Sequence, residues 1–320
     1  MRALAIVNAQ ARGLTAKLRA RLERALPGHV RFTDSLDDAR TAIRAEVRRG
    51  VDLVILGGGD GTVVMGLTLI AEACRGHGKR EPMLGILRMG TGNAIADTVN
   101  ASSDVVADLE RLARGAGTRT QLPLVEALGV RAPFVGLGID AQLLEDQAAI
   151  NGLVDRIPGS RLIPGATRYA LSVALRSVPR FALRDRPTAT VINAGAAAIV
   201  MTKDGERGTR TGELWRGQCT LVAGATIPYF GFGLKMFPFA SSRNDRFHLR
   251  CGDVGLLEIM ANTRSAFRGE YFSDNVADFL CDRVMIELDR ETAIEAGGEL
   301  LGRKSRVELA LTPPVTLLSL

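Results

Sequence analysis

Residues 52–62 read Asp-Leu-Val-Ile-Leu-Gly-Gly-Gly-Asp-Gly-Thr, and this run constrains the fold more than any other. A continuous apolar segment bounded by glycines has the pattern of a strand covered on both faces of a parallel sheet. Three successive glycines then permit backbone approaches that side chains forbid, and Thr62 to Cys74 reads as a helix. The free N–H groups and positive dipole end of such a helix make a place for phosphate. The loop, Gly57 to Thr62, is not the dinucleotide fingerprint, because Thr62 stands where GxGxxG needs its third glycine, and it lacks the GK[ST] of a P-loop. Asp60 is its odd member. A carboxylate among anion-binding amides holds Mg²⁺, orders a water or bonds a hydroxyl, or else it caps its own helix.

The same design recurs about 30 residues on. Leu84 to Arg88 reads as a strand, Met89-Gly90-Thr91-Gly92-Asn93 as a turn and Ala94 as the start of a helix, so Thr91 and Asn93 offer a hydroxyl and an amide. Two such units place both loops at the carboxyl ends of neighbouring strands, where an open α/β sheet holds its ligand. As a pair they favour a nucleoside triphosphate.

Around these loops, strands at Leu4–Val7, running to Asn8, and at His29–Phe32, followed by Thr33, alternate with amphipathic helices. Leu14, Leu18, Leu22 and Leu26 form one apolar stripe, and Leu36, Ala39, Ile43 and Val47 another. A further helix fits Asp104–Arg114, with Ser102 or Ser103 as its cap. The rhythm predicts a layered α/β domain over residues 1–118. It then changes. Strand candidates at Thr118–Leu128, Pro133–Gly138, Pro187–Asn193, Ala197–Met201, Gln218–Ala223, Phe247–Arg250, Val284–Leu288 and Ser305–Leu311 predict a largely antiparallel β domain over 119–311. Helices at Gly165–Val178 and Val254–Phe267 interrupt it.

Composition narrows the chemistry. Of 320 residues, 41 are Lys or Arg and 35 Asp or Glu, a formal charge of +6, but the arginines are dispersed and lack the interleaved aromatics of a nucleic-acid groove. Nucleic acid is therefore not an expected partner. Only His29, His77 and His248 are present, so a histidine metal cluster is excluded and acid–base chemistry falls to carboxylates. Cys74, Cys219, Cys251 and Cys281 have no CxxC spacing, which fits free thiols in a reducing compartment and points to the cytoplasm. No window offers the ~20 uninterrupted apolar residues of a membrane span. Any encounter with a membrane is peripheral.

Gly58-Gly-Asp-Gly-Thr62 followed by Gly90-Thr-Gly-Asn93 resembles the catalytic domain shared by diacylglycerol kinases, sphingosine and ceramide kinases and the bacterial lipid kinases built like them. Phe134-Val-Gly-Leu-Gly-Ile-Asp140-Ala141 is similar to the family's Gly-Phe-Asp-Ala segment. Tyr229 to Gly233 with Pro238, Ala240 and Asp245 resembles its glycine-rich stretch leading to Pro-x-Ala and Asp-Gly, and Gly297-Gly298-Glu299 stands where Asp-Gly-Glu is usual. The resemblance implies an N-terminal domain like those of NAD kinases and phosphofructokinases, a C-terminal β-sandwich, and a last strand near Val315–Leu318 that returns to the first domain. It implies ATP on Gly57–Thr62, on the Gly90–Asn93 loop with Thr91, and beside Asn8 and Thr33. Glu299 is then the proton acceptor, Asp60 orders Mg²⁺ or the acceptor hydroxyl, and Asp140 meets the lipid substrate. Mg²⁺ would sit on Asp245 with backbone oxygens of Ser242 and Phe247.

The departures are Ala9 for the proline of Asn-Pro, Arg88 for Pro, Ala94 for the Asp after Asn, Arg246 for Gly and Gly297 for Asp. They put the metal site and the tuning of Glu299 in question. Two apolar groups, Phe230, Phe232, Met236, Phe237 and Phe239 near Tyr229, and Leu143, Leu144, Ile150, Leu153 and Val154, suit core packing, with a lipid channel as the alternative. The arginines of 176–186 suit a solvated face or anionic headgroups. The expected activity is ATP-dependent phosphorylation of a membrane lipid at the inner face of the membrane. An NAD kinase-like enzyme with a soluble substrate, or a nucleotide-binding regulator, is the alternative, and a homodimer is left open.

Overall fold

The structure, a computed structural model, describes residues 1–11, 13–90, 92–154, 186–230 and 233–320. The helix expected at Gly165–Val178, the arginines of 176–185, and Thr91 and Phe232 lie outside them.

The first part of the chain runs β1 (Ala3–Asn8), α1 (Ala16–Ala25), β2 (Val30–Thr33), α2 (Leu36–Arg48), β3 (Leu53–Gly58), α3 (Asp60–His77), β4 (Met83–Arg88), α4 (Ala94–Thr98), α5 (Val105–Ala113) and β5 (Thr118–Leu122). The rest runs β6 (Val125–Ala127), β7 (Val130–Ala132), β8 (Phe134–Gly138), α6 (Ile139–Val154), β9 (Thr188–Asn193), β10 (Ala198–Thr202), β11 (Gly205–Arg210), β12 (Glu213–Gln218), β13 (Leu221–Ala225), β14 (Phe247–Gly252), α7 (Leu256–Arg268), β15 (Val276–Cys281), β16 (Arg283–Ala296), β17 (Glu299–Leu311) and β18 (Val315–Ser319).

The first sheet has the order β2-β1-β3-β4-β18-β5 and is parallel except for β5. Its central strand shows why the sequence reads as a continuous apolar run. Leu53 and Ile55 pack with Leu22, Leu109 and Leu112 on the side of α1 and α5, while Val54 and Leu56 pack with Ile43, Val47 and Ile70 on the side of α2 and α3. Both faces are covered, so no polar position is tolerated. Thr15 Oγ1 accepts from Leu18 N at 3.1 Å and Ser35 Oγ from Asp38 N at 3.1 Å, which starts α1 and α2. The cap of α5 is Asp104, accepting from Ala107 N, rather than Ser102 or Ser103. Ser102 instead donates its amide and hydroxyl to the buried Asp108.

β5 pairs antiparallel with β18, so residues 118–122 still belong to the first sheet and the chain passes to the second after Pro123. β18 itself lies between β4 and β5, and the end of the chain thereby closes the first sheet.

The second sheet is antiparallel, ordered β11-β10-β15-β14-β13-β8-β16-β17-β6-β7, with β9 joined to β16 and β12 to β9. Its deep core holds Phe247, Leu249, Val222, Ile286 and Leu309. His248 and Arg250 both bond the buried Asp278, Arg250 through two nitrogens at 2.7 and 2.9 Å, which ties β14 to β15. α7 is held by Glu258, which accepts from the Tyr271 hydroxyl, Ser273 and Asn275. α3 joins the two parts: Thr68 Oγ1 receives the Arg131 amide, and Val64 lies against Gly297.

Candidate active site

The carboxyl ends of β1 to β4 meet at one edge of the first sheet. Asn8 Nδ2 donates to Thr62 Oγ1 at 3.1 Å, and the Ala9 amide to Thr33 O at 3.0 Å, so Asn8, Thr33 and the Gly57–Thr62 loop are neighbours. The two glycine loops touch directly. A Cβ on Gly90 would stand 2.4 Å from Gly59 Cα, backbone against backbone, which only glycine allows. Asn93 adopts φ 54° and closes its own loop through two bonds with Gly90, N to Oδ1 at 2.9 Å and Nδ2 to O at 2.8 Å. Gly90→Ala should therefore part the loops. Thermal unfolding should report a loss of about 1–3 kcal/mol, and nucleotide titration about tenfold weaker binding for each 1.4 kcal/mol felt at the loops.

Asp60 stitches the loops together. Its Oδ2 accepts from Ala94 N at 3.1 Å and its Oδ1 from Ile95 N at 3.0 Å, so it caps α4 and not its own helix, whose cap is Gly59. Burial pushes its pKa up, while those two amide bonds pull it down. Two of the departures now have physical reasons. Ala94 is fully buried beside this contact, where an unpaired aspartate would be costly, and Arg88 pairs with Asp97 on α4.

Glu299 comes from the other sheet. β16 and β17 form a hairpin whose two-residue turn is Gly297 at φ 56° and Gly298 at φ 88°, both left-handed as a tight antiparallel turn requires. A Cβ on Gly297 would meet Val64 Cγ2 at 2.2 Å, which is why aspartate is absent there. The turn carries the Glu299 carboxylate onto the first turn of α3, where a Cβ on Gly61 would stand 1.9 Å from Oε1. Much of the Glu299 surface is open to solvent, yet the partial burial of its carboxyl raises its pKa.

Beside this junction opens a cavity of about 630 Å³. Asp60, Gly61, Gly92, Asp140, Glu295, Gly297 and Gly298 border it at the loop end, and Phe134, Leu143, Leu144, Phe230, Met236 and Phe267 are among the apolar side chains that line the rest. Phe237 and Phe239 instead serve the core, packing edge-on against His248. Ile150, Leu153 and Val154 have no described side chains.

Asp140 is 6 % exposed, and among the described residues no other side chain bonds either carboxyl oxygen, although the backbone amides of Asp140 and Ala141 lie close enough to pull its pKa down. Burial raises its pKa to about 7. The sign of the linkage follows: well below the ordinary value of 3.8 the group is protonated in both states, and as pH rises from there to 7 the unfolded chain releases the proton before the folded one does. Wild-type stability should fall over that interval. Asp140→Asn should not show this component, so its melting temperature relative to wild type should rise between pH 4.5 and 8.

The expected metal site does not fit a cation. Asp245 is met by Arg243 Nε at 3.1 Å and Arg246 Nη1 at 3.3 Å, and Arg246 also donates to the Asp245 main-chain oxygen. The Ser242 hydroxyl turns back to Phe239 O. Two guanidinium groups, one of them on the residue that replaces glycine, already neutralise this donor set.

Residues 2–124 match the family model of the diacylglycerol kinase catalytic domain. This segment belongs to that family. The matched segment carries both glycine loops and every strand of the first sheet except β18. The whole fold has solved relatives. A diacylglycerol kinase from Bacillus anthracis str. Sterne is similar with a TM-score of 0.66 at 16% identity, covering 100% of this chain and 97% of that one. Two further structures from the same strain give TM-scores of 0.65 and 0.66 at 17% and 18% identity, with the same coverage. No curated protein matches the chain by sequence.

Sequence reasoning passed over Glu295, a lone carboxylate in the apolar run Ala293-Ile-Glu-Ala296, two residues before the Gly-Gly turn. That isolation was its signal.

Proposed function

We propose that this chain transfers the γ-phosphate of ATP, brought with Mg²⁺, to a hydroxyl of a membrane lipid. The carrying observation is the place of Glu299: its carboxylate lies against Gly61 of the glycine loop, and Gly61 borders a large apolar cavity. ATP would lie with its phosphates on the loop amides of Gly57–Thr62 and Gly90–Asn93, and the lipid chain would fill the cavity. Glu299 takes the proton of the acceptor hydroxyl as its oxygen attacks the γ-phosphorus. The bond from that phosphorus to the β,γ-bridging oxygen breaks, and its electron pair leaves with ADP. Asp60 contributes by holding the two loops in register.

No Lys or Arg borders the cavity among the described residues, which suits an acyl chain better than the phosphates of a dinucleotide. No described helix is long and apolar enough to cross a membrane. The outer face of α7 exposes Leu257, Met260 and Phe267 beside Arg264, a surface suited to a lipid interface, and Phe267 also borders the cavity. Such a protein would collect its substrate from the side of the bilayer.

The test is incubation with labelled ATP, Mg²⁺ and, separately, diacylglycerol, ceramide, a sphingoid base and NAD. Label in a lipid supports the reading. Label in NAD alone, or in none of them, overturns it.

A further inference from the structure

Glu295 and Asp140 make a buried acid pair that the reaction above does not use. Glu295 lies on β16 in register with Gly136 of β8, and Asp140 stands in the first turn of α6. Both crowd the same glycine: a Cβ on Gly136 would meet Asp140 Oδ2 at 1.8 Å and Glu295 Oε1 at 3.1 Å. Glu295 is 2 % exposed. Among the described residues three of the four oxygens have no side-chain partner, and the fourth, Glu295 Oε2, accepts from Gly298 N at 2.8 Å. That bond ends in the turn that carries Glu299.

The surroundings do not favour two negative charges. Asp60 on α3 and Glu299 on β17 face the pair as further carboxyls, and Cys219 ahead of β13 is a neighbour of Asp140. Arg186, a neighbour of Cys219, is engaged with Thr220 and Asp253. Burial pushes Asp140 to about 7 and, with Asp140 beside it, Glu295 well above the carboxylate range.

We propose that Glu295 is a positioning residue that holds one proton between its Oε1 and Asp140 Oδ2, anchors the Glu299 turn through Gly298, and leaves Asp140 Oδ1 to accept a hydrogen bond from a donor on the acceptor lipid. The inference deepens the lipid-kinase reading and rests on it for the ligand, while the proton-sharing pair belongs to the fold itself. In this arrangement Glu295 replaces by hydrogen bonding what an aspartate at position 297 would offer the turn. No proton leaves the pair during turnover.

Two readouts on the purified full-length chain test this. The first uses ATP, Mg²⁺ and whichever member of the acceptor panel takes the label, in detergent mixed micelles. Glu295→Gln keeps an acceptor for Gly298 and a donor for Asp140, so its kcat should stay within about threefold of wild type, less than one hydrogen bond's worth. Glu295→Ala loses both bonds, and its kcat should fall about 10- to 100-fold with ATP affinity unchanged. Asp140→Asn should raise the acceptor KM more than it lowers kcat. Equal activity of Glu295→Ala and wild type, or a Glu295→Gln variant as poor as Glu295→Ala, overturns the proposal.

The second readout needs no activity. Removing the proton donor leaves the Asp140 carboxylate less supported, so the melting temperature of Glu295→Ala should fall more steeply from pH 5 to 8 than that of Glu295→Gln, and both should fall less steeply than wild type, which alone carries a titrating group at position 295. A slope in Glu295→Ala equal to or shallower than that of Glu295→Gln means that position 295 does not donate to Asp140 and overturns the proposal, whatever the acceptor panel shows. A failed panel with the steeper slope sinks the lipid reading and the ligand part of the inference, and upholds the pair.

Discussion

Gly61→Ala is expected to abolish most turnover while leaving the protein folded. Alanine is a better helix residue than glycine by roughly 1 kcal/mol, and position 61 lies within α3, so the substitution should not weaken the helix. The added methyl stands 1.9 Å from Glu299 Oε1. The atom that must yield is the far end of a flexible side chain, so the carboxylate moves and the backbone stays. A displaced catalytic group costs on the order of 10²-fold for about 1 Å of misplacement. Steady-state kinetics should show that loss in kcat, with circular dichroism and melting unchanged. Wild-type kcat in a folded Gly61→Ala variant would mean that the position of Glu299 does not matter.

Much of the first sheet was legible because its signals are local. Glycines end strands, apolar stripes recur at helical spacing, and β3 is apolar throughout because both its faces are covered. The second sheet was legible only where strands face a core. β11 is exposed almost along its length and shows no alternation to read, and β12 presents mainly polar residues. β16 and β17 extend well beyond the Val284–Leu288 and Ser305–Leu311 segments because their outer halves are stabilised by pairing with each other.

The site divides the same way. The glycine loops are local chemistry, and their described residues follow the ends of β3 and β4. What the sequence hid was how distant groups share space: Asp60 caps α4 instead of α3, Arg88 answers Asp97, and Val64 takes the room of an aspartate at 297. The expectation of a cation on Asp245 could not take account of Arg243 and Arg246, which are unremarkable in sequence and close around the carboxylate only in three dimensions. Glu295 acquires meaning from β8, more than 150 residues away in the chain, through Gly136.

The central claim is that Glu299 removes the acceptor's proton. A general base contributes about 10²–10⁴-fold, and Gln at position 299 has nearly the same shape without the basic oxygen. Its partially buried carboxyl also sets the acid limb of the rate profile above the ordinary glutamate value: activity should rise with pH as Glu299 deprotonates. The deciding measurement is single-turnover transfer from labelled ATP to the lipid acceptor across pH, in wild type and Glu299→Gln, with ATP affinity measured alongside. The expected result is transfer reduced about 10²–10⁴-fold in the variant, no acid limb, and unchanged ATP binding. Transfer within a few-fold of wild type, with the same acid limb, would contradict the assignment of Glu299 as the base.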